Sequence, residues 1–392
     1  MAVLADLLSD GASLKTGPFG TALAASEYSD TGVPVVSVGE VGDGYLALGE
    51  RTRRVSPTVT SRLSEYLLAD RDIVFARKGS VDRTALVRPH EAGYFLGSDG
   101  LRLRLGETAH ARFISLQLRS SAIKSWLLQH AGGSTLHSLN QETICRIPLW
   151  LPPLPTQRAI AEVLGALDDK IAANEAVAVS VDEYCEALFA GVSRPEARPL
   201  STIARVNVTT RKPDDGHLRY LDISAVSVGR FNWPGRSSWA DAPGRARRGV
   251  KAGDTVWSTV RPNRRSHALV LDDDPELVGS TGLAVLSPIA GRSALVYQAT
   301  KTPAFLSYLE AVAEGSAYPA VRAERFMDAP IPSMEAHGEE RFEATAYPAR
   351  FRAHCATTES RHLATLRDTL LPHLMSGRLT VRDAEARVEA AL

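Results

Sequence analysis

LLADRDIVFARKGSVDRTALV (67–87) and VKAGDTVWSTVRPNRRSHALV (250–270) are the two stretches on which the fold turns. Asp72 of the first falls on Asp254 of the second, 182 positions further on. Each stretch holds a β-type run, a polar loop and a second β-type run. The spacing persists on both sides. GVPVVSVGEV from Gly32 answers to LRYLDISAV from Leu218, and YFLGSDGLRLRL from Tyr94 to ELVGSTGLAVLS from Glu276, with Ser98 on Ser280. HAGGSTLHSL from His130 answers to AEGSAYPAV from Ala313, with Gly132 on Gly315, and CRIPLWLP from Cys145 to MDAPIPSM from Met327. Gln157 and Arg158 fall on Glu340 and Arg341 at a separation of 183. A period held over five segments means that one unit is written twice.

Within each unit the order is the same. β-type runs come first (VPVVSV, DIVFA, TALV and GLRLRL; then RYLDI, DTVWSTV, HALVL and GLAVLS), punctuated by Gly, Pro, Asp and Ser. A short helix follows, Ala111 to His130 in the first copy and Pro303 to Ala313 in the second. A long helix closes the unit. The first opens after LPPLPTQ (151–157), and Ile160, Leu164, Leu167, Ile171, Asn174, Ala178, Val181, Cys185 and Leu188 step along it by fours and threes. That is the seam of a helix with a helical partner, in which a polar Asn174 fixes register. Gly191 and Pro195 end it. In the second long helix Pro348 is expected to kink or break the first half. Leu363, Leu366, Leu370 and Leu374 then form a stripe, closed by Gly377 and the strand-like RLTV (378–381).

The sequence therefore predicts an α+β chain of two repeated, mixed β-rich domains, at 1–152 and 197–333. Long spacer helices occupy 153–192 and 335–378, and a strand and tail occupy 379–392. If the seams pack on each other the helices run antiparallel, which gives pseudo-two-fold symmetry. A helix of this length spans about 50 Å, against about 34 Å for a turn of B-DNA. Two readers on such a ruler suit two half-sites with an untouched spacer.

Composition narrows the partners. Hydrophobic residues are 44% and charged residues 23%, as in ordinary globular proteins. Cys145, Cys185 and Cys355 form no CxxC pair, which suits a reducing compartment and argues against disulfides or a zinc site. The first residues lack a signal-peptide pattern, and no apolar run reaches the roughly 18 residues that span a bilayer. A cytoplasmic protein with no membrane association is expected. Formal net charge is zero, but fourteen basic residues face five acidic ones between Arg198 and Val270. Seven acidic residues face two basic ones between Thr156 and Ala190. An anionic partner and a protein partner are both implied.

GPFGTALAASEYSDTGVPVVSVGEV (17–41), FARKGSVDRTALV (75–87), LPPLPTQRAIAEVLGALDDKIAANEAV (151–177) and LRDTLLPHLMSGRLTV (366–381) resemble the specificity subunits of type I restriction–modification systems. The resemblance covers almost the whole chain, and the PPLPTQRAIAEVLGALDDKI stretch carries most of its weight. It implies two target-recognition domains, each reading part of a bipartite site in double-stranded DNA. It further implies long helices that dock two methyltransferase (modification) subunits, which restriction and translocase subunits join. No cofactor is implied on this chain; S-adenosylmethionine, ATP and Mg²⁺ would sit on the partners. The second copy departs from the pattern, with IPSMEAHGEERF (331–342) where the family repeats its Pro-Pro-Leu opening.

Base reading needs long donors on loops that enter the major groove. Arg77, Lys78, Ser80 and Arg83 in the first copy answer to Arg261, Asn263, Arg264 and Arg265 in the second. Arg51, Arg53 and Arg54 form another basic cluster, as do Arg245, Arg247 and Arg248; phosphate contact suits these better. Ser134 and Thr135, after Gly132 and Gly133, offer a phosphate turn, against the plainer reading of a helix end. Trp233 is a loop-borne candidate for facing DNA, whereas Trp257 belongs to the core. Ile160, Leu164, Leu167, Ile171, Asn174, Val181, Leu188, Leu363, Leu366, Leu370 and Leu374 are the helix-packing set. No catalytic or metal residue is assigned: GxxxxGK[ST], Asn/Asp-Pro-Pro, GxSxG and HExxH patterns are missing from the sequence. The competing readings are a non-reading scaffold of a related DNA-modification defence complex, and a nuclease of unfamiliar chemistry.

Overall fold

The computed structural model describes residues 2–392 except Asp10, Gly20, Thr21, Glu50, Ser134, Thr135, Leu136, Pro213, Ser316 and Ala317. The chain forms two compact units. Unit 1 is made of Met1–Ala172 and Arg361–Leu392, and unit 2 of Ala173–Ser360.

The duplication is repeated strand by strand. In unit 1 an antiparallel sheet has the order Ser13–Thr16, Gly100–Arg104, Ile73–Ala76, Thr84–Leu86. In unit 2 the order is Ala204–Val206, Leu283–Pro288, Thr255–Ser258, His267–Leu269. Each unit adds a second sheet built around one parallel pair: Val35 lies opposite Phe95 in the first, and Tyr220 opposite Val278 in the second. The reason for the recurrence can be seen at Asp72 and Asp254. Both carboxylates are buried and accept the backbone N–H three residues earlier, from Ala69 at 2.7 Å and Lys251 at 3.0 Å. The turn so closed needs a positive φ, at Arg71 (68°) and Gly253 (91°). Arg104 pairs with Asp72 at 2.7 Å; no arginine is paired with Asp254 among the described residues, and burial pushes its carboxyl pKa up.

Helical expectations need three corrections. Ala111 to His130 is two helices, Ala111–Leu118 and Ser121–His130, because the Ser120 hydroxyl caps the second by accepting the Ile123 N–H at 3.4 Å. Unit 2 likewise has a pair, Ser293–Ala299 and Pro303–Ala311. Pro348 does not break the second long helix, which runs Ala336–Met375; the first runs Leu154–Val192. Pro348 and Ala344, whose carbonyl loses its i+4 donor there, are both exposed, so water can take the place of the missing N–H. The C-terminal strand is replaced by a helix, Val381–Glu389. The Thr380 hydroxyl caps it, accepting the Asp383 N–H at 3.2 Å, and Ala384 and Val388 bury one face in the unit 1 core. RLTV read as a strand because its β-branched residues belong to that cap and first turn.

Each unit takes half of each long helix. In unit 1, Ile160, Leu164 and Leu167 share a core with Leu363, Leu370 and Leu374 and with Phe113 and Leu101 from the β-rich part; Ile171 and Leu366 pack at its margin. In unit 2, Cys185 and Phe189 share a core with Phe342, Trp257 and Phe305, flanked by Val181 and Leu188. Numbers rise along one helix as they fall along the other: Asn174 meets Glu359 (2.7 Å), Asp182 meets Arg350 (3.2 Å), and Phe189 meets Phe342 (5.5 Å between centroids). The helices in unit 2 are antiparallel. Asn174 is buried and donates its amide to the Glu359 carboxylate, a polar contact inside an apolar seam.

The acidity of the first long helix has an internal cause. Asp168 pairs with Arg119 and Arg367, Asp169 with Arg112, Asp182 with Lys301 and Arg350, and Glu186 with Lys301. Most of the charge that pointed to a protein partner is thus neutralised within its own unit. Among the described residues no helix is long and apolar enough to cross a membrane.

Candidate nucleic-acid interface

The loop between Thr255–Ser258 and His267–Leu269 is held at a junction of three chain segments. Thr259 donates its N–H and its hydroxyl to the Gly282 carbonyl, both at 2.9 Å, and accepts the Val321 N–H at 2.8 Å. Val260 forms a bridge with Ala320, and Arg261 donates its N–H to Pro319. Thr281 donates to the Arg245 carbonyl at 2.8 Å, which brings Arg245 to the same turn. In unit 1 the pattern recurs: Arg77 donates to Asp99 (3.0 Å), Gly79 to His137 (2.9 Å), and Lys78 bridges Ser138.

This pairing fixes which residues correspond. Thr259 takes the place of Arg77 and Arg261 that of Gly79, so the donors share a loop but not positions. Gly133 (φ 98°), rather than Gly132, corresponds to Gly315 (φ 93°). These slips of one to three residues went unseen because sequence matching aligned like residues, whereas the fold aligns backbone hydrogen bonds.

Arg261 (φ 53°, ψ 63°) and Arg265 (φ 55°, ψ 33°) both hold the left-handed conformation, on either side of a single tight turn, Pro262–Arg264. For residues with a Cβ this costs on the order of 1 kcal/mol each. What holds the turn from below is His267. Its Nδ1–H donates to the Arg265 carbonyl at 2.6 Å, and its ring stacks on Trp257, centroids 4.6 Å apart. Burial drives the His267 pKa down to about 4, with the carbonyl of Arg265 opposing. The ring is neutral at pH 7.

On this platform Asn263, Arg264 and Arg265 are exposed. The Arg261 guanidinium lies 4.5 Å from the centroid of the Tyr318 ring, which is 69% exposed. In unit 1, Arg83 is exposed, Lys78 pairs with Asp99 at 2.9 Å, and Ser80 is half-buried. Arg77 lies 4.5 Å from the centroid of Phe19, itself 56% exposed. Phe19 and Tyr318 were not singled out from the sequence; the only available signal was an aromatic residue beside a Gly-containing turn.

The remaining candidates stand elsewhere. Arg51 and Arg53 are exposed, with Arg53 over the Tyr28 ring at 5.1 Å, while Arg54 donates to the Gly32 carbonyl at 2.9 Å. Arg247 and Arg248 are half-buried on the strand Ala246–Gly249, and Arg245 pairs with Asp222 at 3.4 Å. Trp233 is half-buried, its ring 5.7 Å from Phe231 and packed on a core that includes Val256 and Leu283. That is a packing position. Trp257 is fully buried. Ser134 and Thr135 lie outside the described residues. Among the described residues no group of three or more His, Cys, Asp or Glu side chains could hold a metal ion.

The architecture is that of a two-fold repeated, β-rich chain with long helices and cationic loops at corresponding places in both units. Residues 19–181 match the family described as "Type I restriction modification DNA specificity domain". A type I restriction–modification S subunit from M. genitalium shares the fold, with 15% identity, 95% of this chain and 94% of that chain covered, and a TM-score of 0.56. The HsdS subunit from Thermoanaerobacter tengcongensis is also similar, at 17% identity, 90% and 94% coverage and a TM-score of 0.32. No curated protein matches the chain in sequence. The family match spans residues 19–181, and the likeness to the M. genitalium S subunit extends the shared fold to 95% of the chain.

Proposed function

We propose that each β-rich repeat reads one part of a bipartite site in double-stranded DNA, and that the two long helices set the spacing and dock two methyltransferase subunits. The observation that carries this reading is the loop that recurs between corresponding strands of both units and presents cationic donors each time. Arg77, Lys78 and Arg83 serve the first half-site, and Arg261, Asn263, Arg264 and Arg265 the second. Two left-handed arginines in one turn are expensive to hold, and such strain is retained where a constrained display is useful. Arg245 and the Arg51–Arg53 cluster would take phosphates, fixing register without reading sequence. Methyl transfer, with its S-adenosylmethionine, belongs to the partner subunits, as do ATP, Mg²⁺ and cleavage to the restriction subunits. The chain itself is a reader with no catalytic role.

The test is an exchange of residues 259–266 for the corresponding loop of another specificity subunit, followed by mapping of methylated adenines in the host. The expected result is a new second half-site with the first half-site and spacer length unchanged. An unchanged methylation pattern would mean that the second repeat is a scaffold and would overturn the reading.

A further inference from the structure

The two arginine–aromatic pairs, Arg77 with Phe19 and Arg261 with Tyr318, are alike in geometry but not in descent. In both, the guanidinium sits 4.5 Å from the centroid of an exposed ring. Backbone pairing puts Arg261 in the place of Gly79, and Arg77 in that of Thr259. The rings come from unrelated segments: Phe19 follows the strand Ser13–Thr16, whereas Tyr318 lies in the segment 314–320. By the same spacing, position 318 answers to a leucine in the first repeat, Leu136. Duplication therefore did not supply the second pair by copying the first. The chain reached one display twice, by different residues.

A stabilising role does not account for it, since an exposed cation–π contact adds little and leaves most of a large apolar ring in water. What such a contact does do is hold the planar guanidinium in one orientation while its N–H fork stays free. A held fork matches one base edge in the major groove, the O6 and N7 acceptors of guanine. We propose that Arg77 and Arg261 each read one guanine, in the first and second half-site respectively, and that Phe19 and Tyr318 are positioning residues that orient the forks. The inference rests on the reading of the two repeats as DNA readers and names the base each one takes. The neighbouring Arg264 and Arg265 have no ring contact among the described residues and are left to the phosphates.

The experiment uses the full chain assembled with its methyltransferase subunits, and duplexes carrying the methylated site. Each guanine is replaced in turn by 7-deazaguanine, which removes the N7 acceptor and nothing else. For the second half-site, one such replacement weakens wild-type binding several-fold and has no further effect on Arg261→Ala, which discriminates guanine from other bases about tenfold less well. Tyr318→Ala lowers that discrimination about two- to fivefold, and Tyr318→Phe, which keeps the ring, restores it. Arg77→Ala, Phe19→Ala and Phe19→Tyr behave in the same way at one guanine of the first half-site. Arg261→Ala weakening every duplex equally, or Tyr318→Phe failing as badly as Tyr318→Ala, overturns the assignment while leaving sequence reading intact. Loss of all sequence preference in the wild-type complex would instead sink the underlying reading.

Discussion

Acidification should destabilise unit 2 through His267, and the size of the effect can be worked out. His267 is buried, its Nδ1–H donates to Arg265, and burial lowers its pKa to about 4 from an ordinary 6.5. A base whose folded pKa is depressed binds fewer protons when folded than when unfolded. Its contribution is therefore intact above the unfolded pKa, near 6.5, and is lost progressively as pH falls towards 4. Linkage between these two values gives about 2 kcal/mol lost on going from pH 7.5 to pH 5. The perturbation is His267→Asn, whose amide can still donate to the Arg265 carbonyl but does not titrate. Urea unfolding at both pH values is the assay. At a slope of about 2 kcal/mol per molar, the wild-type transition of unit 2 should shift by about 1 M. The variant starts less stable, having lost the ring stacked on Trp257, but its pH-dependent shift should be smaller by nearly that amount. An equal shift in both proteins would refute the reasoning, because the proton uptake would then lie on other groups.

Asp168→Asn should destabilise unit 1 by about 1–2 kcal/mol in urea unfolding, because it takes one carboxylate from the half-buried Arg119 and Arg367 guanidinium groups, which keep Asp43 and Asp368. Burial works to raise the Asp168 pKa, but Arg119 and Arg367 outweigh it and hold the carboxyl below its ordinary range. Its contribution should persist above the unfolded carboxylate pKa and fade only as pH drops through the lowered one. Arg264→Gln with Arg265→Gln should weaken DNA binding without changing the preferred sequence. It should also reduce the slope of log affinity against log salt by about 0.9 for each phosphate contact removed, read by fluorescence anisotropy over a salt series; an unchanged slope would place both side chains away from phosphate.

Much of the fold was legible because duplication leaves a signal that local propensity does not. Asp72 and Asp254 recur since a buried carboxylate is needed to close the same turn twice. The seam from Ile160 to Leu167 showed because helix burial imposes a three-four spacing. Other features depend on surroundings that no local pattern encodes. Pro348 is tolerated because its side of the helix is exposed, and the C-terminal helix is stabilised through two residues, Ala384 and Val388, docked on a core formed elsewhere. At the interface, the loops could be found from their basic residues. Their true correspondence and the rings of Phe19 and Tyr318 could not, since both depend on segments far apart in the chain meeting at one turn.

Charge shows the same division most sharply, and it bears on function. Counted along the chain, the first long helix is acidic and the region after Arg198 is basic, which invites two partners. In the fold, Asp168, Asp169, Asp182 and Glu186 already meet cations of their own units. Arg198, Arg219 and Arg236 likewise meet Glu339, Asp274 and Glu276. The basic side chains that meet no carboxylate among the described residues include Arg83, Arg261, Arg264 and Arg265, all on the recurring loop. An ion pair satisfied internally gives little to a partner, because breaking it costs about what the new contact returns. Available positive charge is therefore smaller than the sequence sum suggests. Part of it lies on the recurring loop, where left-handed backbone at Arg261 and Arg265 and the exposed rings of Phe19 and Tyr318 hold the donors that we propose read DNA.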